Sequence, residues 1–172
     1  IASGSVPSFI LWGPPGVGKT TLAKIVASAL DRPFYTLSAV TSGVKDVREV
    51  IDKAKNQHLF NARPAFLFID EIHRFNKSQQ DSLLGAVEQG IVTLIGATTE
   101  NPSFEVISPL LSRCQVYVLK PMDDGELQTL LDRALSTDPE LQKRNISVEE
   151  TEALFRFSGG DARKLLNIID II

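Results

Sequence analysis

The residues best suited to do chemistry form two groups, a glycine-rich loop near the start of the chain and a pair of carboxylates about fifty residues later. The loop reads Gly13-Pro14-Pro15-Gly16-Val17-Gly18-Lys19-Thr20, followed by Thr21. Its glycines would let backbone N–H groups turn inward around phosphates, and a following helix would add its partial positive charge. Lys19 would then face the β- and γ-phosphates of ATP, and Thr20 would offer a hydroxyl to Mg²⁺. A glycine-rich turn that binds nothing is the weaker alternative, because the loop follows an apolar run and precedes an amphipathic one.

The two carboxylates, Asp70 and Glu71, end the apolar run Phe66-Leu67-Phe68-Ile69. An acid at the end of such a strand is the usual second ligand of the Mg²⁺ that accompanies a phosphate-binding loop, so we assign Asp70 to the metal together with Thr20. Glu71 would polarise the attacking water as a general base. In isolation the two acids could be a solvated strand end. With the loop upstream, they predict hydrolysis of ATP rather than binding alone.

The elements that must position these residues alternate between short strands and helices, which predicts an α/β domain with a parallel sheet. Strands are predicted at 8–12, 34–37, 65–70, 92–97 and 114–119, and helices at 20–30, 44–55 and 78–89, with a short helix opening at Ser108-Pro109. In the first helix, Leu22, Val26, Ala29 and Leu30 share a face, and in the second Val47, Ile51 and Ala54 do so.

After Pro121 the pattern predicts helices alone, at 123–135, 148–157 and 162–172. Ser147 with Glu150 resembles a capping box, and Asp161 is a good N-cap for the last helix. We therefore expect an α/β nucleotide-binding subdomain at 1–120, followed by a truncated helical lid at 121–172.

Composition limits the class of protein. The 172 residues carry a net charge of −3, so any contact with nucleic acid must be local. A single cysteine, Cys114, excludes an internal disulfide, and no run of apolar residues is long enough to span a membrane or act as a signal peptide. These features favour the cytoplasm. Because the chain begins at Ile1 and ends within an apolar helical pattern, we interpret it as part of a longer protein whose N- and C-terminal regions are absent.

Together, the loop, the carboxylate pair and the trailing helices resemble the AAA+ superfamily of P-loop NTPases, in its clamp-loader clade. That resemblance implies a five-stranded parallel sheet in the order 5-1-4-3-2, a helical lid and ATP sites completed by a neighbouring subunit. It also implies three further catalytic residues. Thr99, after Gly96-Ala97-Thr98, matches the sensor-1 position, with Thr98 one residue away; Arg113, in Ser112-Arg113-Cys114, matches the arginine finger; Arg163, in Gly160-Asp161-Ala162-Arg163, matches sensor 2.

Longer strings narrow the resemblance to the family of replication-associated recombination protein A and the Werner helicase-interacting protein. They are Ala39 to Arg48, Asp70 to Asp81 and Gly96 to Glu105. This family implies an ATPase stimulated by DNA, acting in replication, recombination and repair at stalled forks, duplex ends and single-strand/duplex junctions. It further implies work with single-strand-binding protein, a homotetramer in the full-length protein, and a bacterial cytoplasmic location associated with the nucleoid.

Other interpretations stay open at this point. The chain could be a clamp-loader subunit or a Holliday-junction branch-migration motor, or it could be a nucleotide-dependent scaffold with little turnover, although Glu71 and Arg113 argue against the last. His73 and Arg74 could face a DNA channel or begin a solvated helix, and a DNA role for Arg74 and Lys77 is a minor alternative. The flanking residues Trp12 and Cys114 are expected in the core, and His58 receives no role.

Overall fold

The computed structural model describes residues 6–58, 63–144 and 146–171. The strands are β1 (Phe9–Trp12), β2 (Phe34–Ser38), β3 (Ala65–Asp70), β4 (Val92–Thr98) and β5 (Gln115–Val118). The helices are α1 (Lys19–Ala29), α2 (Val44–His58), α3 (Lys77–Glu88), α4 (Pro102–Glu105), α5 (Ser108–Leu111), α6 (Asp124–Thr137), α7 (Pro139–Lys143), α8 (Glu152–Ser158) and α9 (Ala162–Ile171). A short 3₁₀ turn lies at Ile72–Arg74. None of the helices in the described ranges is long and apolar enough to cross a membrane.

The strands form one parallel sheet in the order β2-β3-β4-β1-β5. The predicted order is therefore confirmed. Strand β4 lies between β1 and β3, with Trp12 opposite Thr98 and Ile69 opposite Gly96. Because all the strands run in one direction, the segments that follow β1, β3 and β4 leave the sheet at the same edge.

The sheet is buried at its centre and exposed at one side. Every residue of β4 is buried, and so is every residue of β3 before Asp70, as expected of central strands covered on both faces. Every residue of β5 is exposed. In α2 the predicted face is confirmed, since Val47 and Ala54 are buried and Ile51 packs against the same core.

The buried face of α1 differs from the prediction. Ala23 and Ala27 are buried, whereas Leu22 is 38% exposed and Ala29 is exposed. Of the four residues predicted to share the buried face, Leu30 alone is buried. Small side chains permit close approach of a helix to its neighbours, and the buried stripe of α1 consists of alanines for that reason.

The chain divides into two compact units. The first runs to Gly13 and then from Lys19 to Val118, and the second combines Pro14–Gly18 with the chain from Leu119. The second unit has its own apolar core, built from residues of α6, α7, α8 and α9: Leu127, Leu131, Leu141, Phe155, Leu165 and Ile169.

Two features of the second unit differ from the sequence prediction. Helix α8 begins at Glu152 and not at 148, and its N-cap is Thr151, so the predicted capping box of Ser147 and Glu150 is wrong. Helix α7 was not predicted. Its start carries a readable signal, because Asp138 accepts from the backbone N–H groups of Glu140 and Leu141 and Pro139 occupies the first turn.

Candidate functional site

The glycine-rich loop leaves β1 beside the end of β4. The N–H of Gly13 donates to the carbonyl of Thr98 at 3.1 Å, which fixes the start of the loop to the central strand. Gly16 and Gly18 have φ values of 75° and 86°, in the left-handed region that other residues enter at a cost. Lys19 opens α1 and is 8% exposed, and its Nζ donates to the carbonyl of Gly13 at 2.6 Å. The ammonium group is thus held by the backbone carbonyl at which the loop begins.

Within the second unit, Gly16 lies against Asp161. A Cβ added to Gly16 would overlap the carboxylate of Asp161, so the position requires glycine for space as well as for its φ. The same carboxylate accepts from the N–H groups of Arg163 and Lys164 at 2.8 and 3.0 Å. Asp161 is therefore the N-cap of α9, as predicted.

The carboxylate pair follows β3 at the same edge of the sheet as the loop. Asp70 is the last residue of β3, and Glu71 is the first residue beyond it, with φ 55° and ψ 45°. In the described part of the chain, Asp31 is the one other residue besides glycines with a positive φ. A left-handed residue of this kind stores about 1–3 kcal/mol of strain and is concentrated at functional sites. The turn directs the chain out of the strand into Ile72–Arg74.

His73 contacts both Glu71 and the end of β4. Its Nε2 lies 3.3 Å from Oε2 of Glu71, and its Nδ1 lies 3.0 Å from Oγ1 of Thr98. The side chain of His73 is 13% exposed and that of Glu71 is 31% exposed. The interpretation of His73 as part of a solvated helix start is therefore wrong. The sequence offered no signal for these contacts, because they depend on the left-handed conformation of Glu71.

Thr98 and Thr99, the two residues considered for the sensor-1 position, differ in their surroundings. Thr98 is fully buried, and its hydroxyl accepts from the N–H of Glu100 at 3.0 Å in addition to contacting His73. Thr99 is half-buried, and no hydrogen bond of its side chain is found among the described residues. The hydroxyl of Thr98 is thus engaged within the protein, which leaves Thr99 as the better candidate for contact with a ligand.

The candidate arginine finger, Arg113, lies on the surface between α5 and β5. Its Nη2 is 2.6 Å from Oε1 of Glu88, and the two side chains are 40% and 47% exposed. Its Nη1 donates to the carbonyl of Pro109 at 2.6 Å and lies 3.2 Å from Oγ of Ser112. The guanidinium is therefore held by its own chain through contacts that solvent can reach.

The remaining candidate residues lie at exposed or half-buried positions. Arg163, in the first turn of α9, is exposed, and so is Arg74 in the 3₁₀ turn. Cys114 is half-buried and packs against the core of the first unit, and burial raises the pKa of its thiol to about 11. The thiol is therefore protonated at neutral pH and unsuited to act as a nucleophile. Trp12 is also half-buried, whereas the side chain of His58 lies outside the described residues.

The donor set suits Mg²⁺ bound together with a nucleotide. Thr20 begins α1 just after the loop, Asp70 ends β3 at the same sheet edge, and both are half-buried. In residues 6–58, 63–144 and 146–171, no group of three His, Cys, Asp or Glu side chains could hold a metal ion by itself. Mg²⁺ characteristically takes one or two protein oxygens and completes its octahedron with phosphates and water. Thr20 and Asp70 could supply those two protein oxygens.

Comparison with known proteins supports the same interpretation. Residues 9–122 match the ATPase family associated with various cellular activities (AAA). The chain is 53% identical over 171 residues to ATPase WRNIP1 of Dictyostelium discoideum, covering 98% of this chain and 19% of that protein. It is 48% identical over 176 residues to replication-associated recombination protein A of Haemophilus influenzae, covering 100% of this chain and 39% of that protein. The chain thus spans about two fifths or less of the length of these relatives.

Among solved structures, the chain resembles the Thermotoga maritima RuvB Holliday junction branch migration motor. The TM-score is 0.75 at 31% sequence identity, and the match covers 96% of this chain and 53% of the other. The fold, the phosphate-binding loop and the sequence relatives all indicate the same family. The chain belongs to the AAA family of nucleotide-binding ATPases and, within it, to the family of replication-associated recombination protein A and WRNIP1.

Proposed function

We propose that this chain hydrolyses ATP with Mg²⁺ and that the whole protein uses this activity on DNA at stalled or damaged replication forks. The observation that carries the first part is the strained turn at Glu71. A carboxylate stands directly after the central strand β3, at the sheet edge that also bears the phosphate-binding loop. A nucleotide-binding scaffold would have no need of a carboxylate held there at the cost of backbone strain.

The roles of the residues that act on ATP bound to their own subunit follow from their chemistry. The loop from Gly13 to Thr20 surrounds the phosphates with N–H groups, and Lys19 exchanges its contact with the Gly13 carbonyl for the β- and γ-phosphates. Thr20 and Asp70 hold Mg²⁺, which supplies Lewis-acid stabilisation of the phosphoryl oxygens when bound. Glu71 accepts a proton from the attacking water, and Thr99 orients that water or contacts the γ-phosphate.

The roles of Arg113 and Arg163 depend on the assembled, full-length protein. Negative charge develops on the transferred phosphoryl group, and a cation placed there lowers the barrier. Arg113 is exposed and held by a surface ion pair, so a phosphate of a neighbouring subunit can replace Glu88 as its partner. Arg163, exposed at the start of α9, would contact the γ-phosphate and so make the second unit sensitive to its presence. We expect a homo-oligomer, a tetramer by resemblance to the family.

The proposed action on DNA rests on the names of related proteins. Proteins 44–53% identical to this chain are named for replication-associated recombination, for WRNIP1, or as an uncharacterised AAA protein. We extend that setting to the whole protein, with forks, duplex ends and junctions as substrates, single-strand-binding protein as a partner and a cytoplasmic, nucleoid-associated location. The net charge of −3 requires the DNA contact to be local, and exposed Arg74 is one candidate for it.

The test measures ATPase rate on the full-length protein without DNA, with duplex ends and with forked DNA. We expect turnover without DNA and a higher rate with forked DNA. Glu71→Gln should keep ATP binding and lose turnover by about 100-fold or more, as expected when a general base is removed. Equal turnover of Glu71→Gln and wild type would exclude the general-base role, and absence of turnover in the wild type would favour a scaffold. A rate that does not respond to any DNA would remove the fork assignment while leaving the ATPase intact.

A second candidate, a branch-migration motor, is favoured by the likeness to the RuvB structure at a TM-score of 0.75. A four-way junction added to the same assay separates the two. Stimulation by the four-way junction above that by a fork, with movement of the junction, would favour branch migration. Stimulation by the fork alone would favour fork maintenance.

A further inference from the structure

We propose that His73 is a positioning residue for ATP hydrolysis: it orients the carboxylate of Glu71 and is itself oriented by the hydroxyl of Thr98. This inference deepens the proposed function and rests on it. The proposal follows from the two contacts of the imidazole, from the anchoring of the turn that carries it, and from the position of Thr98 next to the phosphate-binding loop.

The two ring nitrogens of His73 meet different chemical groups. Nε2 faces Oε2 of Glu71 at 3.3 Å, an ion-pair contact, and because a carboxylate only accepts hydrogen bonds, this contact is favourable when Nε2 carries the proton. A neutral ring of that tautomer has a bare Nδ1, to which the hydroxyl of Thr98, 3.0 Å away, can donate its one proton in place of the carbonyl of Glu100 at 3.2 Å. One tautomer therefore satisfies both contacts. This arrangement fixes the ring at one end and the carboxylate at the other.

The turn that carries His73 is held by packing against β4. Ile72 is fully buried, and its Cδ1 lies 3.3 Å from where a Cβ on Gly96 would stand. The absence of a side chain at Gly96 thus makes room for Ile72 over the strand. The N–H of Arg74 donates to the carbonyl of Glu71 at 2.8 Å, and the N–H of Phe75 donates to that of Ile72 at 3.1 Å. His73 is therefore presented by a closed turn with a buried anchor.

Thr98 also connects His73 with the phosphate-binding loop. Its carbonyl accepts from the N–H of Gly13 at 3.1 Å, while its side chain meets the imidazole. A continuous set of contacts therefore runs from Gly13 through Thr98 and His73 to Glu71.

Replacing a histidine that has only a structural role should change the kinetics differently from replacing a positioning histidine. Loss of packing lowers stability and ATP binding together, whereas loss of orientation lowers kcat with little change in KM. The two contacts can also be separated. The amide of Gln extends to about the position of Nε2, and the shorter amide of Asn to about that of Nδ1.

The experiment measures steady-state ATP hydrolysis and ATP binding by full-length His73→Ala, His73→Asn and His73→Gln. We expect kcat to fall about 10-fold or more for Ala and Asn, with KM and the Kd for ATP unchanged within about 2-fold, since a misplaced reacting group loses rate rather than affinity. His73→Gln should recover a large part of the rate because it keeps a donor near Glu71. His58→Gln, at the other histidine of the sequence, is the matched control and should turn over like the wild type.

Wild-type kcat in His73→Ala and His73→Asn would overturn the proposal. So would a fall in kcat that tracks a loss of ATP binding, or a rate in His73→Gln no better than in His73→Ala. Glu71→Gln, measured alongside, distinguishes this failure from failure of the proposed function. If the wild type turns over ATP and Glu71→Gln does not, the general base stands and only the role of His73 is lost.

Discussion

The end of β3 and the surface around Arg113 carry two of the charges that we propose act on ATP, and they are built in opposite ways. Glu71 lies in a strained, left-handed turn beside a histidine that is 13% exposed. Arg113 is 40% exposed and pairs with Glu88, which is 47% exposed. The strain at Glu71 represents about 1–3 kcal/mol, whereas an exposed ion pair contributes about 0–1 kcal/mol. The group that we propose acts within its own subunit is thus fixed by packing, and the one that we propose acts on a neighbour is held by a contact that is easily exchanged.

The largest effect is expected at the loop, where Lys19→Ala should remove detectable ATP binding and therefore turnover. Lys19 is 8% exposed and its ammonium is held by the carbonyl of Gly13, so its removal takes the positive charge away from the start of the loop. Titration with a fluorescent ATP analogue measures the loss. Lys24→Ala, an exposed lysine of the same helix, is the control and should bind like the wild type. Binding by Lys19→Ala at wild-type affinity would refute the assignment of the loop.

Arg113→Ala should leave ATP binding intact and lower turnover by about 1000-fold, the lower end of what an arginine finger contributes. Steady-state turnover and analogue binding check the two parts. If the finger acts across an interface, mixing Arg113→Ala with Glu71→Gln should restore part of the activity, because some interfaces then combine an intact finger with an intact base. No recovery at any mixing ratio would count against action between subunits and would place Arg113 with the cis residues.

The two regions also differ in how they should tolerate the same substitution. A Cβ at Gly96, beneath the turn of Glu71, would stand 3.3 Å from side-chain carbons of both Ile10 and Ile72. We expect Gly96→Ala to lower the free energy of unfolding by about 1–3 kcal/mol, because the buried side chains of Ile10 and Ile72 would have to shift by a few tenths of an ångström. Gly85, in α3, the helix that ends at Glu88, has nothing within 4 Å of an added Cβ. Gly85→Ala should instead raise the free energy of unfolding by about 0.5–1 kcal/mol, since alanine favours the helix.

Denaturant unfolding of both variants measures these free energies. Two results would contradict the contrast between a packed centre and a tolerant surface. One is an unchanged free energy of unfolding in Gly96→Ala, and the other is a decrease in Gly85→Ala as large as that expected for Gly96→Ala. Turnover of Gly96→Ala gives a further check, because displacement of Ile72 would move the turn that carries Glu71.

The same contrast explains what the sequence could and could not predict. The strands were predicted to within about a residue or two at most ends, because buried parallel strands are continuous apolar runs. The left-handed turn at Glu71 was not predictable, since neither periodicity nor composition marks a non-glycine residue with positive φ. The contacts of His73 depend on that turn. Sequence patterns thus proposed candidate catalytic residues but could not predict the geometry that holds them.

Helical faces and caps were predicted less well, for local reasons. In α1 the bulky Leu22 was expected inside, yet Ala23 and Ala27 are buried because small residues pack closely. In the second unit, Ser147 and Glu150 have the spacing of a capping box, but α8 starts at Glu152. Spacing alone does not decide which turn of a helix is packed against a core. Asp161 was predicted correctly because its neighbours offer it free N–H groups at the start of α9.

The smallest effect is expected for Glu88→Gln, which removes the surface partner of Arg113. The free energy of unfolding should change by less than about 1 kcal/mol, because exposed ion pairs contribute little. Turnover of the full-length protein should stay within about 2-fold of the wild type, since we propose that Arg113 exchanges Glu88 for phosphate in the assembled state. Denaturant unfolding measures the first quantity and steady-state hydrolysis the second. Glu49→Gln, which breaks an exposed ion pair with Lys53 on α2, is the control for general effects of charge removal. A collapse of turnover in Glu88→Gln alone, as large as that in Arg113→Ala, would mean that Glu88 fixes the finger in its working position, and the surface around Arg113 would then be as firmly organised as the turn at Glu71.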